Sequence, residues 1–423
     1  MIVVGINRCR NLRFQRSKKN RSFTQMIEIT TITIIISAVT LFLAIVSPMF
    51  NALFRAPEHK GNTSAPDHSN DASDADTNHI ANTGTQNKQM SIVIIAHDNA
   101  PELENSLPSF LSQDYASDYE VIVVADESDS DTDDVIKRFA NHKKLYATFL
   151  PHSSRYISRK KLAITLGIKA AKYPWVIVTD AWCKPEDNQW LRSFAQYCSD
   201  DKEIVIGHTF YDDDAPVAYQ YEHSVHAAYN LRSATKGKGI TTNSPLVAIR
   251  KDFFMKENGF LGNLKFVRGE YAFLVNKFSN KENTGVAIAP SSFLIEDTPF
   301  KKRWGNNHLF AINAQGCLDG FYRLRTLYHL DNGLMHLCNL AIVAGIIYGS
   351  IAKDWIALGV SIFAFIVEYA LRAFFARKAM ITFRAHVPLL IVPLLDFIQP
   401  LKDLFWRIKY LFADKYDFIT HKI

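Results

Sequence analysis

The 423-residue chain is 48% hydrophobic and 21% charged, with a formal net charge of +6. These values exclude fibrous, collagen-like and wholly disordered chains, and so mild a basic excess calls for no nucleic-acid partner. The five cysteines (Cys9, Cys183, Cys198, Cys317 and Cys338) are too scattered for a disulfide framework or a metal knuckle and read as reduced thiols.

Residues 1–25 form a basic extension with seven Lys and Arg between Arg8 and Arg21 and no acid before Glu28. A transmembrane helix is predicted over 27–50, because Ile29 to Val46 carries no charge and Pro48-Met49-Phe50 extends it. The run is too long for a signal-peptide core, and no small-residue cleavage site follows cleanly. Residues 55–88 are rich in Asn, Asp, Ser, Thr and His. They cannot bury enough apolar surface to fold, so a disordered linker is expected.

At Met90 the pattern becomes strand-helix-strand. Ser91 to Ala96, Tyr119 to Ala125, Leu145 to Leu150 and Pro174 to Thr179 are apolar runs of strand length, the first of them typical of a strand buried on both faces. Helical patterns over 103–113, 133–141 and 158–172 alternate with them, predicting an α/β domain with a parallel sheet. Ligands in such sheets lie beyond the carboxyl ends of the strands. His97-Asp98-Asn99, Asp126 and Asp180 should therefore share one edge. No glycine-rich phosphate loop follows the first strand, which argues against NAD or ATP.

Three features meet at that edge. Asp126 can accept hydrogen bonds from a base or a ribose. Lys160 and Lys161 open a helix, where a helix N-terminus and cations suit a diphosphate. Asp180 ends the fourth strand, where a hard cation can bridge carboxylate and phosphate.

Further on, two apolar runs, Leu334 to Ala352 and Trp355 to Phe375, flank Lys353-Asp354 and predict a transmembrane hairpin over 333–376. Glu368 and Arg372 stand i, i+4 in its second arm, either neutralising each other inside a bundle or snorkelling at an interface. Residues 383–423 are expected to be a re-entrant or interfacial segment, interrupted by Pro388, Pro393 and Pro400, and then an aromatic and basic cytoplasmic tail. The basic residues around the hairpin place the central domain in the cytoplasm, whereas the N-terminal cluster places it outside. Translation from Met26 would remove the conflict. The expected location is the inner (cytoplasmic) membrane, multi-pass, with the globular domain facing the cytoplasm.

The stretches Ser91-Ile-Val-Ile-Ile-Ala-His-Asp-Asn, Glu120-Val-Ile-Val-Val-Ala-Asp-Glu-Ser, Lys160-Lys-Leu-Ala-Ile-Thr-Leu-Gly-Ile-Lys-Ala-Ala and Trp175-Val-Ile-Val-Thr-Asp-Ala resemble the nucleotide-sugar half of family 2 glycosyltransferases. The resemblance implies a GT-A domain over 90–325, flanked by transmembrane helices, that inverts the anomeric centre. It implies a nucleoside diphosphate sugar, UDP-like, as donor, with Mg or Mn. The acceptor would be a lipid-linked or cell-envelope glycan. Carried over by position, His97, Asp98, Asp126, Lys160 and Lys161 bind the nucleotide, and Asp180 is the first acid of the metal-binding Asp-x-Asp. Glu270 is the catalytic base, and Arg303 and Trp304 are the remnant of an acceptor-side motif.

The chain departs from that pattern at three places. Asp-x-Asp reads Asp180-Ala181-Trp182, and an indole ligates neither Mg nor Mn. Tyr271 and Ala272 stand where acids follow Glu270 in the family. The motif expected after Phe300 is reduced to Arg303-Trp304. The alternative reading is thus a catalytically inactive relative that binds nucleotide or scaffolds a partner glycosyltransferase. A third, in which the spans conduct a product, has too few helices without oligomers. Asp212-Asp213-Asp214, Glu296-Asp297 and His308 are candidate substitute metal ligands, and His223 and His226 among Tyr219, Tyr221 and Tyr229 are candidate acceptor contacts. A solvated loop or a polar helix face is the simpler account of the Asp212 run and of the two histidines.

Overall fold

The computed structural model describes residues 31–55, 57, 88–151, 158–264 and 268–414. The basic extension, nearly all of the expected linker and the last nine residues of the tail lie outside them.

The chain divides into two compact units. One comprises residues 1–55, 326–378 and 388–400; the other comprises 56–325, 379–387 and 401–423. In the first, helix α1 (Thr31–Val46) carries the N-terminal apolar run and continues as a 3-10 turn over Ser47–Phe50.

The second unit opens with β1 (Met90–Ile95), α2 (Ala100–Leu111), β2 (Tyr119–Asp126), α3 (Ser130–Arg138), β3 (Leu145–Leu150), α4 (Arg159–Ala170) and β4 (Trp175–Asp180). All four predicted strands are present. The helices α2 and α3 begin three residues before their expected starts, for local reasons. Pro101 occupies the first turn of α2, where a missing N–H costs nothing. Asp129 caps α3 by accepting from the Thr132 N–H. Short elements follow: β5 (Cys183–Pro185), α5 (Trp190–Ala195), β6 (Ile204–Ile206), β7 (Thr209–Tyr211), α6 (Val217–Lys236), β8 (Leu246–Arg250), α7 (Lys251–Lys256), α8 (Glu270–Phe278), β9 (Thr284–Val286), β10 (Leu294–Glu296) and α9 (Lys301–Gln315).

The main sheet has the order β3-β2-β1-β4-β8-β6-β9. Its β3-β2-β1-β4 half is parallel, while β8 runs antiparallel to both β4 and β6. Every residue of β1 and β4 is buried, as expected of parallel strands covered on both faces. A three-stranded sheet, β5-β10-β7, stands beyond the end of β4. Because β2 and β4 flank β1 in parallel register, their terminal Asp126 and Asp180 emerge on one edge, on either side of His97. Helix α4 closes onto this half at Gly167, where a Cβ would stand 3.1 Å from Val124 Cγ2 and closer still to Val93 Cγ1.

The remaining helices are α10 (Phe321–Ala352), α11 (Trp355–Thr382) and α12 (Val392–Leu411). Thr31–Phe50, α10 and α11 are long and apolar enough to cross a membrane. Both arms of the expected hairpin are longer than the apolar runs alone, and they meet where Lys353 adopts a left-handed conformation (φ 55°). Asp354 then caps α11, accepting from the N–H groups of Ile356 and Ala357. In place of a broken segment followed by a separate tail, α12 is one helix running through Pro400. Its C-terminal part packs in the second unit, with Trp406 stacked on His308 at 4.5 Å and the Tyr410 hydroxyl donating to Asn313.

Glu368 and Arg372 are both buried in the first unit. Arg372 bonds Glu368 Oε1 at 3.3 Å, Asp396 Oδ2 at 2.5 Å and the Ser47 hydroxyl at 2.6 Å. Asn51 donates to the same Asp396 carboxylate at 2.8 Å. The pair is thus inside a bundle and not snorkelling, with its charges answered by a second acid and two polar side chains.

Gly167→Ala should cost about 1–3 kcal/mol by overpacking α4 on Val93 and Val124. A lowered midpoint of thermal unfolding, read by circular dichroism on the full chain in detergent, checks it.

Candidate active site

The edge beyond β1, β2 and β4 carries two groups of charged side chains. At the first, Asp126 is almost fully buried. Its Oδ1 accepts from the Ser128 N–H and hydroxyl at 3.3 and 3.0 Å. Its Oδ2 pairs with the Arg159 guanidinium and lies 3.4 Å from His97 Nδ1. Burial alone would raise this carboxyl, but the Ser128 and Arg159 hydrogen bonds outweigh it and hold Asp126 below its ordinary range. Asp98 is exposed beside His97, at φ 52°, with its N–H donating to Asp129 at 2.9 Å. The structure therefore brings His97, Asp98 and Asp126 together.

Arg159 was missed by sequence reasoning. The signal for it was the Arg-Lys-Lys run opening α4, whose helical phase sends three neighbouring cations in three directions. Arg159 goes to Asp126, and Lys160 Nζ reaches Asp180 Oδ2 at 2.6 Å. Lys161 is turned inward, 1% exposed, donating to the Asn263 carbonyl at 2.6 Å. Its ammonium lies 4.6 Å over the Phe273 ring, and burial pushes its pKa down to about 8. Lys161, expected to bind the nucleotide, ties α4 to the loop at Asn263.

The second group centres on Asp180, 1% exposed. One oxygen takes Lys160, and the other accepts from the Tyr271 hydroxyl at 2.8 Å. Burial is the largest influence and raises this carboxyl, while Lys160 and Tyr271 act against it. Gly269, at φ 91°, supplies the left-handed turn that starts α8 and so sets Glu270 and Tyr271 in its first turn. Around Trp182, Lys160 Nζ lies 4.8 Å and the Arg303 guanidinium 3.7 Å from the ring centroid. Trp304 stacks face to face on Tyr219 at 3.8 Å.

A divalent cation does not fit these residues. Asp180 is a buried carboxylate whose two oxygens already serve Lys160 and Tyr271. Trp182, at the second acid position, presents a buried indole N–H, a donor and not a ligand, that lacks an acceptor among the described residues. No group of three or more His, Cys, Asp or Glu side chains able to hold a metal occurs among the described residues. Asp180, expected as a metal ligand, is instead paired with Lys160 and Tyr271 in this structure.

Two other buried carboxylates lie nearby. Glu270 accepts from the Ser158 hydroxyl at 3.4 Å, and Ser158 is the N-cap of α4. Glu296 ends β10 and accepts from the Thr209 hydroxyl at 2.6 Å. Burial pushes Glu296 up to about 7, against the Thr209 hydrogen bond and the Arg303 charge.

The remaining candidates are structural. Asp212, Asp213 and Asp214 form an exposed loop. His223 is buried, bonded through Nε2 to the Thr209 carbonyl at 2.6 Å, and burial lowers it to about 4. His226 is half-buried on the same helix. His308 pairs with Glu222, beneath Trp406.

Residues 91–259 match the model of glycosyl transferase family 2. The matched residues lie in the second unit. The main sheet there, parallel through β3-β2-β1-β4, antiparallel at β8 and parallel again between β6 and β9, is that of an α/β fold. The glycosyltransferase domain is also similar to chondroitin synthase of Escherichia coli, 27% identical over 137 residues, or 31% of this chain and 18% of that protein. The chain thus spans less than a fifth of that relative. Among solved structures, a mannosyltransferase of Pyrobaculum calidifontis in complex with GDP-Man and Mn2+ is 15% identical, with 84% of this chain and 96% of that chain covered and a TM-score of 0.47. S. aureus TarS 1-349 is also 15% identical, over 70% and 89% of the two chains, with a TM-score of 0.38.

The His308–Glu222 pair fixes a pH dependence. Burial would lower His308 and raise Glu222, but each partner reverses this, so His308 rises above 6.5 and Glu222 falls below 4.5. His308 contributes fully below 6.5 and loses its contribution as pH climbs through its raised folded value. Glu222 contributes above 4.5 and loses it as pH falls through its lowered one. His308→Gln should therefore cost about 3 kcal/mol near pH 6 and clearly less near pH 9. Melting curves of both proteins at the two pH values check it.

Proposed function

We propose that this protein is a membrane-anchored, inverting glycosyltransferase. It moves a sugar from a nucleoside diphosphate donor, UDP-like, to a lipid-linked or cell-envelope glycan. The observation that carries the donor half is the Asp126 centre. A carboxylate kept ionised by Ser128 and Arg159, beside His97 and at the carboxyl edge of the sheet, is an acceptor for the hydroxyl and N–H donors of a nucleoside. Support for the membrane half comes from the three long apolar helices. The basic residues Arg323, Arg325, Arg377, Lys378 and Arg384 around two of them favour a cytoplasmic domain.

In the transfer, the acceptor oxygen attacks the anomeric carbon and the bond from that carbon to the β-phosphate oxygen breaks. The electron pair leaves with the nucleoside diphosphate, and the acceptor hydroxyl proton passes to a carboxylate. We assign that proton to Glu296 in place of Glu270. A general base works best with a pKa near the working pH, and burial brings Glu296 to about 7. Glu270 is instead engaged with the cap of α4 through Ser158. A second reading, binding without turnover, is favoured by Tyr271 standing in the acidic stretch of the family motif.

Turnover of UDP-sugars by the full chain, read as released UDP, should rise about tenfold per pH unit on approaching 7 from below and then level off. Glu296→Gln should lower it by about 10²–10⁴ and flatten the profile. Glu270→Gln should leave the profile's midpoint in place. Absence of turnover together with UDP binding would establish the second reading.

A further inference from the structure

We infer that Lys160 and Arg303 do the work of the divalent cation, binding and neutralising the donor diphosphate, so that this site takes its nucleotide without metal. The inference rests on the donor reading above and goes beyond it by naming what holds the phosphates.

Four observations lead to it. Lys160 Nζ contacts the Asp180 carboxylate at 2.6 Å, where a bridging cation would have to stand. A second positive ion there would face the ammonium at short range. Lys160 is also held between aromatic groups, 4.8 Å from the Trp182 centroid and 5.0 Å from that of Tyr271. Its position is thus defined from three sides, while two of its three N–H donors remain for oxygen ligands other than Asp180.

Arg303 adds the second charge. It lies 3.7 Å from the Trp182 ring centroid, so the indole that abolishes the metal ligand is the platform on which the guanidinium rests. A planar fork of this kind suits the bidentate recognition of phosphate. Tyr271 completes the exchange. An acid at that position would sit beside the buried Asp180 and raise the demand for a metal, whereas the phenol donates a hydrogen bond and lowers it. The substitutions at Trp182 and Tyr271 are then one change and not two losses. Each removes a negative charge, and together with Lys160 and Arg303 they turn an acidic, cation-seeking pocket into a basic, anion-seeking one.

The test is UDP binding to the full chain in detergent, by calorimetry, in excess EDTA and again in excess Mn2+. Affinity should agree within about twofold between the two conditions, since phosphate contacts come from the protein. Lys160→Met and Arg303→Met should each weaken UDP about tenfold or more, and Lys160→Arg should restore most of the loss. Mn2+ titrated with wild type should keep the paramagnetic resonance signal it gives in the same solution without protein, whether or not UDP is present. A Mn2+ requirement for UDP binding, or a bound-Mn2+ signal that appears with UDP, would overturn the inference and leave the donor reading intact. Full affinity in Lys160→Met and Arg303→Met would also overturn it. If neither UDP nor GDP binds in EDTA or Mn2+, the donor reading and this inference fall together.

Discussion

A carboxylate buried at the end of a strand must have its charge answered, and the arrangement of this site follows from how Asp180 is answered. The parallel pairing of β1 with β4 fixes where that carboxylate emerges. The choice of Lys160 and Tyr271 as its partners then decides what else the pocket can hold. With both oxygens engaged by protein donors, the first turn of α4 is tied to β4 on one side and the first turn of α8 on the other. Arg303 is brought to the same point through Trp182. Charge balance, more than shape, organises this edge.

Much of the fold was legible in the sequence, because parallel strands buried on both faces leave unbroken apolar runs that periodicity alone detects. The strands from β1 to β4 fall within a residue of where the runs place them. The short strands β5 and β10 were not legible. They are three residues each, and β10 pairs with partners roughly 85 and 110 positions away, which no local pattern encodes. The edge aspartates could be named in advance, since strand ends are predictable from the same runs. Which of Arg159, Lys160 and Lys161 reaches which acid could not, because one residue of helix turns a side chain by about 100° and the start of α4 was known only to within a residue or so. The continuity of α12 was hidden by its prolines, which argue against a helix until packing supplies the reason for one.

The departures from the family pattern also take on a joint meaning in three dimensions. Read along the chain, Trp182, Tyr271 and the shortened stretch at Arg303 are separate erosions, 89 and 32 positions apart. In space they touch the same lysine or the same indole. Substitutions that converge on one contact set are constrained by each other, so a single reversion meets a pocket already built for the opposite charge.

The polar network in the helical unit bears on how the chain is made. Ser47 and Asn51 lie near its beginning, Glu368 and Arg372 far along it, and Asp396 later still. A ribosome delivers these groups in sequence, with the whole transferase domain synthesised between the first and the rest. Until the segment holding Asp396 emerges, Arg372 lacks its closest acid, and Asn51 lacks the carboxylate to which its side-chain amide donates. The apolar helices thus cannot reach their final packing one at a time as they are translated; the last contact to form is the one that closes the circuit of charge.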